Sequence, residues 1–283
     1  MPSDLPARVL QLLLGTLCIT APLAAQLPFY TDDSAVTEQG KWHFEFFNEF
    51  DTLQHPQYPN LRQNTANYKL NYGLPYNLEL DVDVPYLAIF RAVETPTSAG
   101  AGDTNMGVKW NFHKERQSSR LPALSASLYI EFPTGDTRQQ LGSGLTDFWF
   151  NFIMQKSLSS KTRINGNIGF LFAGNTSTGV LGIQTTTRSH VYTGGLSVLH
   201  DFTSRLTLGG ELYGGFTNNT DLGRSQLQAL LGGKYALRNG MTFDFGLLGG
   251  KYIASPRIGV QIGFSVDFPD ILHGSVTCPR SRH

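Results

Sequence analysis

The chain has 283 residues with 22 basic and 22 acidic side chains, and this neutral balance argues against a nucleic-acid binder, which needs a basic stripe to displace counterions. Charged residues are only 16%, below the roughly 25% of an ordinary soluble domain, while 30 Gly, 19 Phe and 11 Tyr run high. That mixture suits β-structure in lipid and suits a helical membrane protein badly, because each helical span needs about 20 consecutive apolar residues.

One apolar run exists, and it opens the chain. Arg8 precedes Leu10, Leu12, Leu13, Leu14, Leu17 and Ile19, and the run ends on Leu23, Ala24 and Ala25. This reads as a secretory signal cut before Gln26, although Asp4 offsets Arg8 in the short basic region. A retained anchor helix is the alternative; Pro22 and the small residues favour cleavage. Cys18 follows large Leu17, which does not suit a lipoprotein site, and it leaves with the signal. Cys278 then stands alone, and an intramolecular disulfide is impossible. The expected organisation is a signal over 1–25, a periplasmic N-terminal segment over 26–39, a barrel over 40–268 and a periplasmic tail over 269–283.

After the signal, what repeats is a period of two, the mark of strands whose faces meet different solvents. Trp42, Phe44, Phe46 and Phe50 oppose His43, Glu45, Glu49 and Asp51. Tyr68, Leu70, Tyr72 and Leu74 oppose Asn67, Lys69 and Asn71; Leu78, Leu80, Val82 and Val84 oppose Asn77, Glu79, Asp81 and Asp83. Met106, Val108, Trp110 and Phe112 oppose Asp103, Asn105, Lys109 and Asn111. Leu124, Ala126, Leu128, Ile130 and Phe132 oppose Ser125, Ser127 and Glu131. Phe148, Phe150, Phe152 and Met154 oppose Asp147, Asn151 and Gln155, with Trp149 and Ile153 blurring the pattern.

The second half continues in kind. Ile164, Ile168, Phe170 and Phe172 oppose Arg163, Asn165 and Asn167; Tyr192, Leu196 and Val198 oppose Thr193, Ser197 and Asp201. Leu206, Leu208, Leu212 and Phe216 face away from Thr207, Glu211 and Tyr213. Leu227, Ala229, Leu231, Tyr235 and Leu237 alternate with Gln226, Gln228, Lys234 and Arg238. Asn239-Gly240 then supplies a tight hairpin turn, and Met241, Phe243, Phe245 and Leu247 alternate with Thr242, Asp244 and Gly246. The last strand is the clearest: Ile258, Val260, Ile262, Phe264, Val266 and Phe268 alternate with Gly259, Gln261, Gly263, Ser265 and Asp267.

These make about twelve strands near the length of a tilted membrane strand. The links at 54–64, 93–100, 133–144, 174–187 and 218–224 are long. Those at 75–76, 157–161, 203–204 and 239–240 are short, as is the eleventh link near 254–256, and 113–121 is a longer exception. Long and short loops on opposite rims are expected of an outer-membrane barrel. Aromatics gather as girdles, with Trp42, Trp110, Phe112, Tyr235 and Phe268 at one rim and Tyr86, Phe132, Phe148 and Phe216 at the other. Lipid offers no partner for backbone polar groups, so only a helix or a closed sheet crosses it. A soluble sandwich or lipocalin-like barrel would have to bury these bulky apolar faces inside. The expected fold is therefore all-β: a transmembrane, antiparallel, up-and-down barrel with the apolar face outward.

From Pro28-Phe29-Tyr30-Thr31-Asp32-Asp33, followed by Gly40-Lys41-Trp42 and Glu45, the chain resembles a known family, the outer-membrane transporters of the meta pathway of phenol degradation. Gly102-Asp103-Thr104, Gly107-Val108-Lys109, Pro133-Thr134-Gly135-Asp136, and Gly142-Ser143-Gly144 with Asp147 follow in the family's order. The resemblance implies an outer-membrane barrel linked to uptake of aromatic compounds, and it carries no catalytic or binding residues. Outer-membrane chains commonly end on an aromatic read by the barrel assembly machinery; Phe268 resembles that residue, with 269–283 following it.

The expected lumen-lining residues are Glu45, Glu49, Lys69, Glu79, Asp81, Asp83, Asp103, Lys109, Glu131, Asp147, Arg163, Glu211, Lys234, Arg238 and Asp244. The acidic rows of the first and third strands read either as a cation-favouring or substrate-orienting patch or as half of an internal salt-bridge ladder with Lys69, Lys109, Arg163, Lys234 and Arg238. The ladder is the favoured reading. Gly100, Gly102 and Gly107 enter a strand rather than a helix, so they form no phosphate loop. His43, His190 and His200 lack metal-ligand spacing, and no serine falls in a nucleophile motif. No cofactor, metal or catalysis is expected. The expected function is passive passage of small, aromatic or hydrophobic solutes across the outer membrane, with lipid and solute as partners and no nucleic acid. A structural or surface-interaction barrel with a plugged lumen is the alternative, and a barrel enzyme the third.

Overall fold

The structure, a computed structural model, describes residues 28–116, 120–174, 188–217, 225–238 and 240–269. One antiparallel sheet accounts for nearly all of them. Its strands are β1 (Lys41–Thr52), β2 (Asn60–Leu74), β3 (Leu78–Arg91), β4 (Ser98–Ala101), β5 (Thr104–His113), β6 (Ala123–Phe132) and β7 (Asp147–Ser157). They continue as β8 (Thr162–Gly174), β9 (Arg188–Asp201), β10 (Leu206–Phe216), β11 (Ser225–Ala236), β12 (Met241–Lys251) and β13 (Ile258–Pro269). Each long strand pairs with its sequence neighbours, and β1 pairs with β13 from Lys41↔Pro269 to Thr52↔Ile258, so the ring is closed at 12 staves. Closure leaves no edge backbone to be satisfied by lipid.

The alternation expected from the sequence sets the two faces. Ile168, Leu231, Leu247 and Phe150 are exposed, at 72%, 71%, 61% and 52%, whereas Glu45, Asp81 and Lys109 are buried at 3%, 1% and 2%. A soluble protein has the opposite distribution. Apolar side chains stand outward where lipid covers them, and polar ones turn inward. Phe264 is outward at 39% exposure, as the all-β membrane reading requires. Among the described residues no helix is long and apolar enough to cross a membrane.

Two features depart from a uniform ring. The wall stave between β3 and β6 is broken: β3 pairs with β5 over Leu78–Asp83 and with β4 over Tyr86–Ile89. Pro85 sits at the break and has no N–H to give a ladder, so its carbonyl takes the Gly102 N–H instead, at 2.8 Å. β4 therefore lies inside a link read from sequence as an irregular loop. The second departure is β2, which begins at Asn60 and shortens the expected 54–64 loop. The β2–β3 turn needs positive φ at two adjacent residues, Tyr76 (64°) and Asn77 (57°), so Asn77 belongs to the turn rather than to the inward face. The expected loops at 175–187 and 218–224 lie outside the described residues, as does Asn239; its neighbour Gly240 has φ 80°.

Candidate functional site

The lumen holds the molecule's charged chemistry, and part of it is filled by the chain's own N-terminal segment. Residues 28–37, part of the segment expected as periplasmic over 26–39, run inside the barrel, and Glu38 and Gln39 are exposed. The reason is hydrogen-bonding supply: a strandless segment must satisfy its N–H groups, and the inner wall carries carboxylates placed to accept them. Glu211 on β10 accepts from the Tyr30 and Thr31 N–H groups at 3.1 and 2.5 Å. Glu79 on β3 accepts from the Thr37 N–H and hydroxyl at 2.5 and 2.6 Å. The Ser34 carbonyl accepts from Asn111 on β5 and Ser125 on β6, at 2.6 and 2.7 Å. Tyr30 donates its hydroxyl to Glu49 on β1. The Lys109 ammonium meets Asp32 at 2.7 Å, both buried, with Asp33 at 3.7 Å. Phe29 packs into an inward apolar patch of Leu199, Leu230 and Leu248.

Against this segment lies a cavity of about 370 Å³ inside the barrel. One part of its wall is aromatic and apolar: Phe47, Tyr129, Trp149 and Leu171. Tyr129 and Trp149 are cross-strand partners with ring centroids 6.4 Å apart. Tyr129 lies against Gly107, where any larger residue would collide with its ring, and its hydroxyl donates to Asp81 at 2.8 Å. The charged lining is Asp32, Glu45, Lys69, Asp83, Glu131 and Asp147. Strand register puts Lys69 between Glu45 and Asp83 on neighbouring strands, Glu79 opposite Lys109, and Lys234 opposite Asp244. It also sets Glu131 directly opposite Asp147, two like charges side by side.

The loop 133–146 folds into the mouth. Leu141 packs on inward Leu87 and Ile89. Asp103, at the β4–β5 break, accepts from the Gly135 and Ser143 N–H groups at 2.9 and 2.7 Å. Arg91 donates to Asn60 (2.7 Å) and Gln140 (2.9 Å) across the same mouth. Within the loop Asp136 accepts from the Arg138 N–H, which holds its carboxyl below the usual carboxylate range.

The predicted residues thus fall into distinct places. Glu45, Lys69, Asp83, Glu131 and Asp147 meet in the cavity. Glu49, Glu79, Lys109 and Glu211 hold the N-terminal segment, and Asp81 holds Tyr129. Asp103 clamps a loop, and Arg163 pairs with Asp201 at 3.5 Å. Asp244 is buried opposite Lys234. Arg238 is a correction: it lies beyond the end of β11, exposed in the turn, because the strand ends at Ala236. Of the expected internal ladder, the register sets Lys69 beside Glu45 and Asp83 and Lys234 beside Asp244, and Arg163 meets Asp201, while Lys109 pairs with Asp32 of the N-terminal segment. An all-polar interior also fails at Phe47, Trp149, Ile153, Leu199, Leu230 and Leu248. Trp149 and Ile153 were the residues that blurred the alternation, a signal that was present and pointed inward.

A closed ring with an apolar exterior, a charged interior and a loop folded into its mouth defines an outer-membrane β-barrel. The chain belongs to the family described as "Putative MetA-pathway of phenol degradation", whose sequence pattern matches residues 50–268. Among solved structures it is similar to an outer membrane channel from Pseudomonas putida F1, with TM-score 0.69 and 12% identity, covering 83% of this chain and 98% of that one. It is also similar to the NanC porin (TM-score 0.55, 9% identity, 79% and 98% covered) and the KdgM porin (0.51, 8%, 80% and 99%). At these identities the likeness is one of fold. No curated protein matches the chain.

Proposed function

We propose that the protein is an outer-membrane channel for the passive passage of small solutes, aromatic and hydrophobic ones included. The observation that carries this reading is the cavity of about 370 Å³ inside a lipid-facing ring, within the range of small-molecule sites and lined by rings on one side and charges on the other. The family's description supports an aromatic cargo. Glu45, Lys69, Asp83, Glu131 and Asp147 are then the lumen residues that solutes meet. Export through a signal cut near Ala25 and assembly through a last strand ending at Phe268 belong to the same reading, as does a periplasmic position for the tail 269–283. No catalytic step is part of it.

A second reading has one observation in its favour: the segment 28–37 crosses the lumen and would plug a purely structural or surface-interaction barrel. Single-channel recording of the purified barrel in planar bilayers separates the two. Steady conductance, with uptake of small aromatic solutes into liposomes, supports the channel. A sealed barrel, in which neither the wild-type protein nor one lacking residues 28–37 conducts, removes it.

A further inference from the structure

Along the cavity wall unpartnered acceptors outnumber unpartnered donors, of which the Trp149 indole N–H is the one among the described residues, and positive charge is short as well. Asn67, Asn151 and Asn167 line it, are at least nine-tenths buried, and each has a side-chain carbonyl oxygen with no hydrogen-bond partner. Asn67 gives its amide N–H to Asp83, and its oxygen is left without a donor. Buried acceptors without donors are rare enough to need a reason.

The charges point the same way. Of the five lining carboxylates, Asp32 has Lys109, Asp147 has Arg188 at 3.5 Å, and Lys69 stands between Glu45 and Asp83. Glu131 makes no ion pair among the described residues and faces Asp147 across the ladder. Beside it Tyr129 and Trp149 offer ring faces, whose negative quadrupoles attract a cation. Gly169 is the partner of Asn151, and any side chain there would fill the space where the Asn151 oxygen, Trp149 and Thr193 converge.

We propose that this corner of the cavity is a binding subsite for organic cations, specifically a primary ammonium on an aromatic body. The ammonium supplies the donors that the Asn oxygens lack and the charge that Glu131 lacks. The ring takes the apolar wall. An anion of the same shape meets the uncompensated Glu131 carboxylate, and a neutral alcohol satisfies the oxygens only in part. The inference rests on the channel reading only in requiring that solutes reach the cavity.

The test compares three probes of similar size on the full-length barrel in detergent by titration calorimetry: 2-phenylethylammonium, 2-phenylethanol and 3-phenylpropanoate. The expected order is ammonium first, at least about tenfold tighter than the alcohol, a difference that one well-placed charge and its hydrogen bonds supply. The carboxylate comes last, and 1 M salt narrows the gap. Glu131→Gln reduces ammonium affinity severalfold with little effect on the alcohol, whereas Trp149→Ala weakens both. Equal affinity for ammonium and alcohol, tighter binding of the carboxylate, or no binding of any probe overturns the proposal. Because the ligand series uses the unaltered protein, a variant that fails to fold does not blunt the result. Conductance recorded on the same preparation keeps the readings apart: a barrel that conducts but does not prefer the ammonium loses the subsite and keeps the channel, and a silent barrel that binds it does the reverse.

Discussion

The two halves of the inner wall solve the same problem with different residues. From β1 to β7 the inward positions are rich in ionisable side chains: Glu45, Glu49, Lys69, Glu79, Asp81, Asp83, Lys109, Glu131 and Asp147. From β8 to β13 they are largely small or apolar, with Gly195, Gly209, Gly232, Gly246 and Gly259 among Leu199, Leu230 and Leu248. The N-terminal segment lies between them and meets each on its own terms. The charged wall takes most of its polar groups, chiefly through Lys109 with Asp32 and Glu79 with Thr37, and Glu211 on β10 takes the Tyr30 and Thr31 N–H groups from the other side. The small-residue wall lets Pro28 and Phe29 come close: a Cβ on Gly209 would stand 3.0 Å from the Phe29 ring, and one on Gly232 3.1 Å from Pro28. A lumen can thus be occupied by ion pairs on one side and by missing side chains on the other.

The largest way to break this arrangement is on the charged side. Lys109→Met leaves Asp32 buried without its ammonium, a loss of about 3–5 kcal/mol for an uncompensated buried charge. The segment is expected to leave the lumen. Single-channel conductance should rise, and a cysteine put in place of Ala35, with Asp32 kept, should become open to labelling. Unchanged conductance would assign the hold to the other hydrogen bonds of the segment, through Glu79, Glu211 and Asn111, and to the apolar wall.

The small-residue wall gives the next effect. Gly209→Leu puts a side chain where Phe29 lies, and overpacking of this kind costs about 1–3 kcal/mol. The expected result is partial release, seen as a second, larger conductance level. Phe29→Ala in the same background should relieve only the part of the clash that falls on the ring, because the new Cβ also meets the Val198 carbonyl oxygen at 2.5 Å.

Asp103→Ala acts on the mouth and leaves the N-terminal segment alone. Two backbone N–H groups lose a charged acceptor, roughly 1.5–3 kcal/mol for such a bond before solvent replaces it. The loop 133–146 should become a site of rapid tryptic cleavage at Arg138, with the barrel itself intact. Protection equal to the wild type would mean that Leu141 and Arg91 hold the loop unaided.

The smallest effect is pH-dependent and lies at the opposite rim. Burial pulls the Glu115 carboxyl up, but Lys156 at 2.6 Å and the Ser157 N–H at 3.0 Å outweigh it and hold the group below its ordinary range. A depressed carboxyl contributes above the unfolded-state value, and its contribution fades as pH falls through the folded one. Hydrogen exchange at 114–116 should therefore quicken relative to other loops as pH drops below about 4, once intrinsic rates are divided out. Glu115→Gln should abolish the change.

Strand existence was legible because each strand has two solvents, and Ile258 to Phe268 shows both in strict alternation. The faces followed from the same signal. What escaped was everything that depends on a meeting between distant segments. Residues 28–39 have no period and therefore looked unstructured; their partners Glu211 and Lys109 announce only that they are polar. Trp149 and Ile153 broke the alternation visibly, yet an apolar residue facing inward makes sense only once the aromatic wall and its neighbours are known. β4 was hidden because Ser98 to Ala101 are small residues with no alternation to read. Arg238 was misplaced by one turn, since alternation persists past the point where the ladder stops.

The pairing of β1 with β13 has a consequence for assembly. The ring shuts only when the first and last strands meet, which is the most distant contact the chain makes and the one with the greatest loop entropy to overcome. Residues 28–37 lead into that first strand and lie within the finished circle, so they have to be drawn inside as the seam zips or slide in through its end. Enclosure by the zipping seam makes the two a single kinetic event, in which a variant that weakens the grip on Asp32 slows the appearance of the heat-resistant, fully folded form, whereas insertion after closure leaves that rate unchanged.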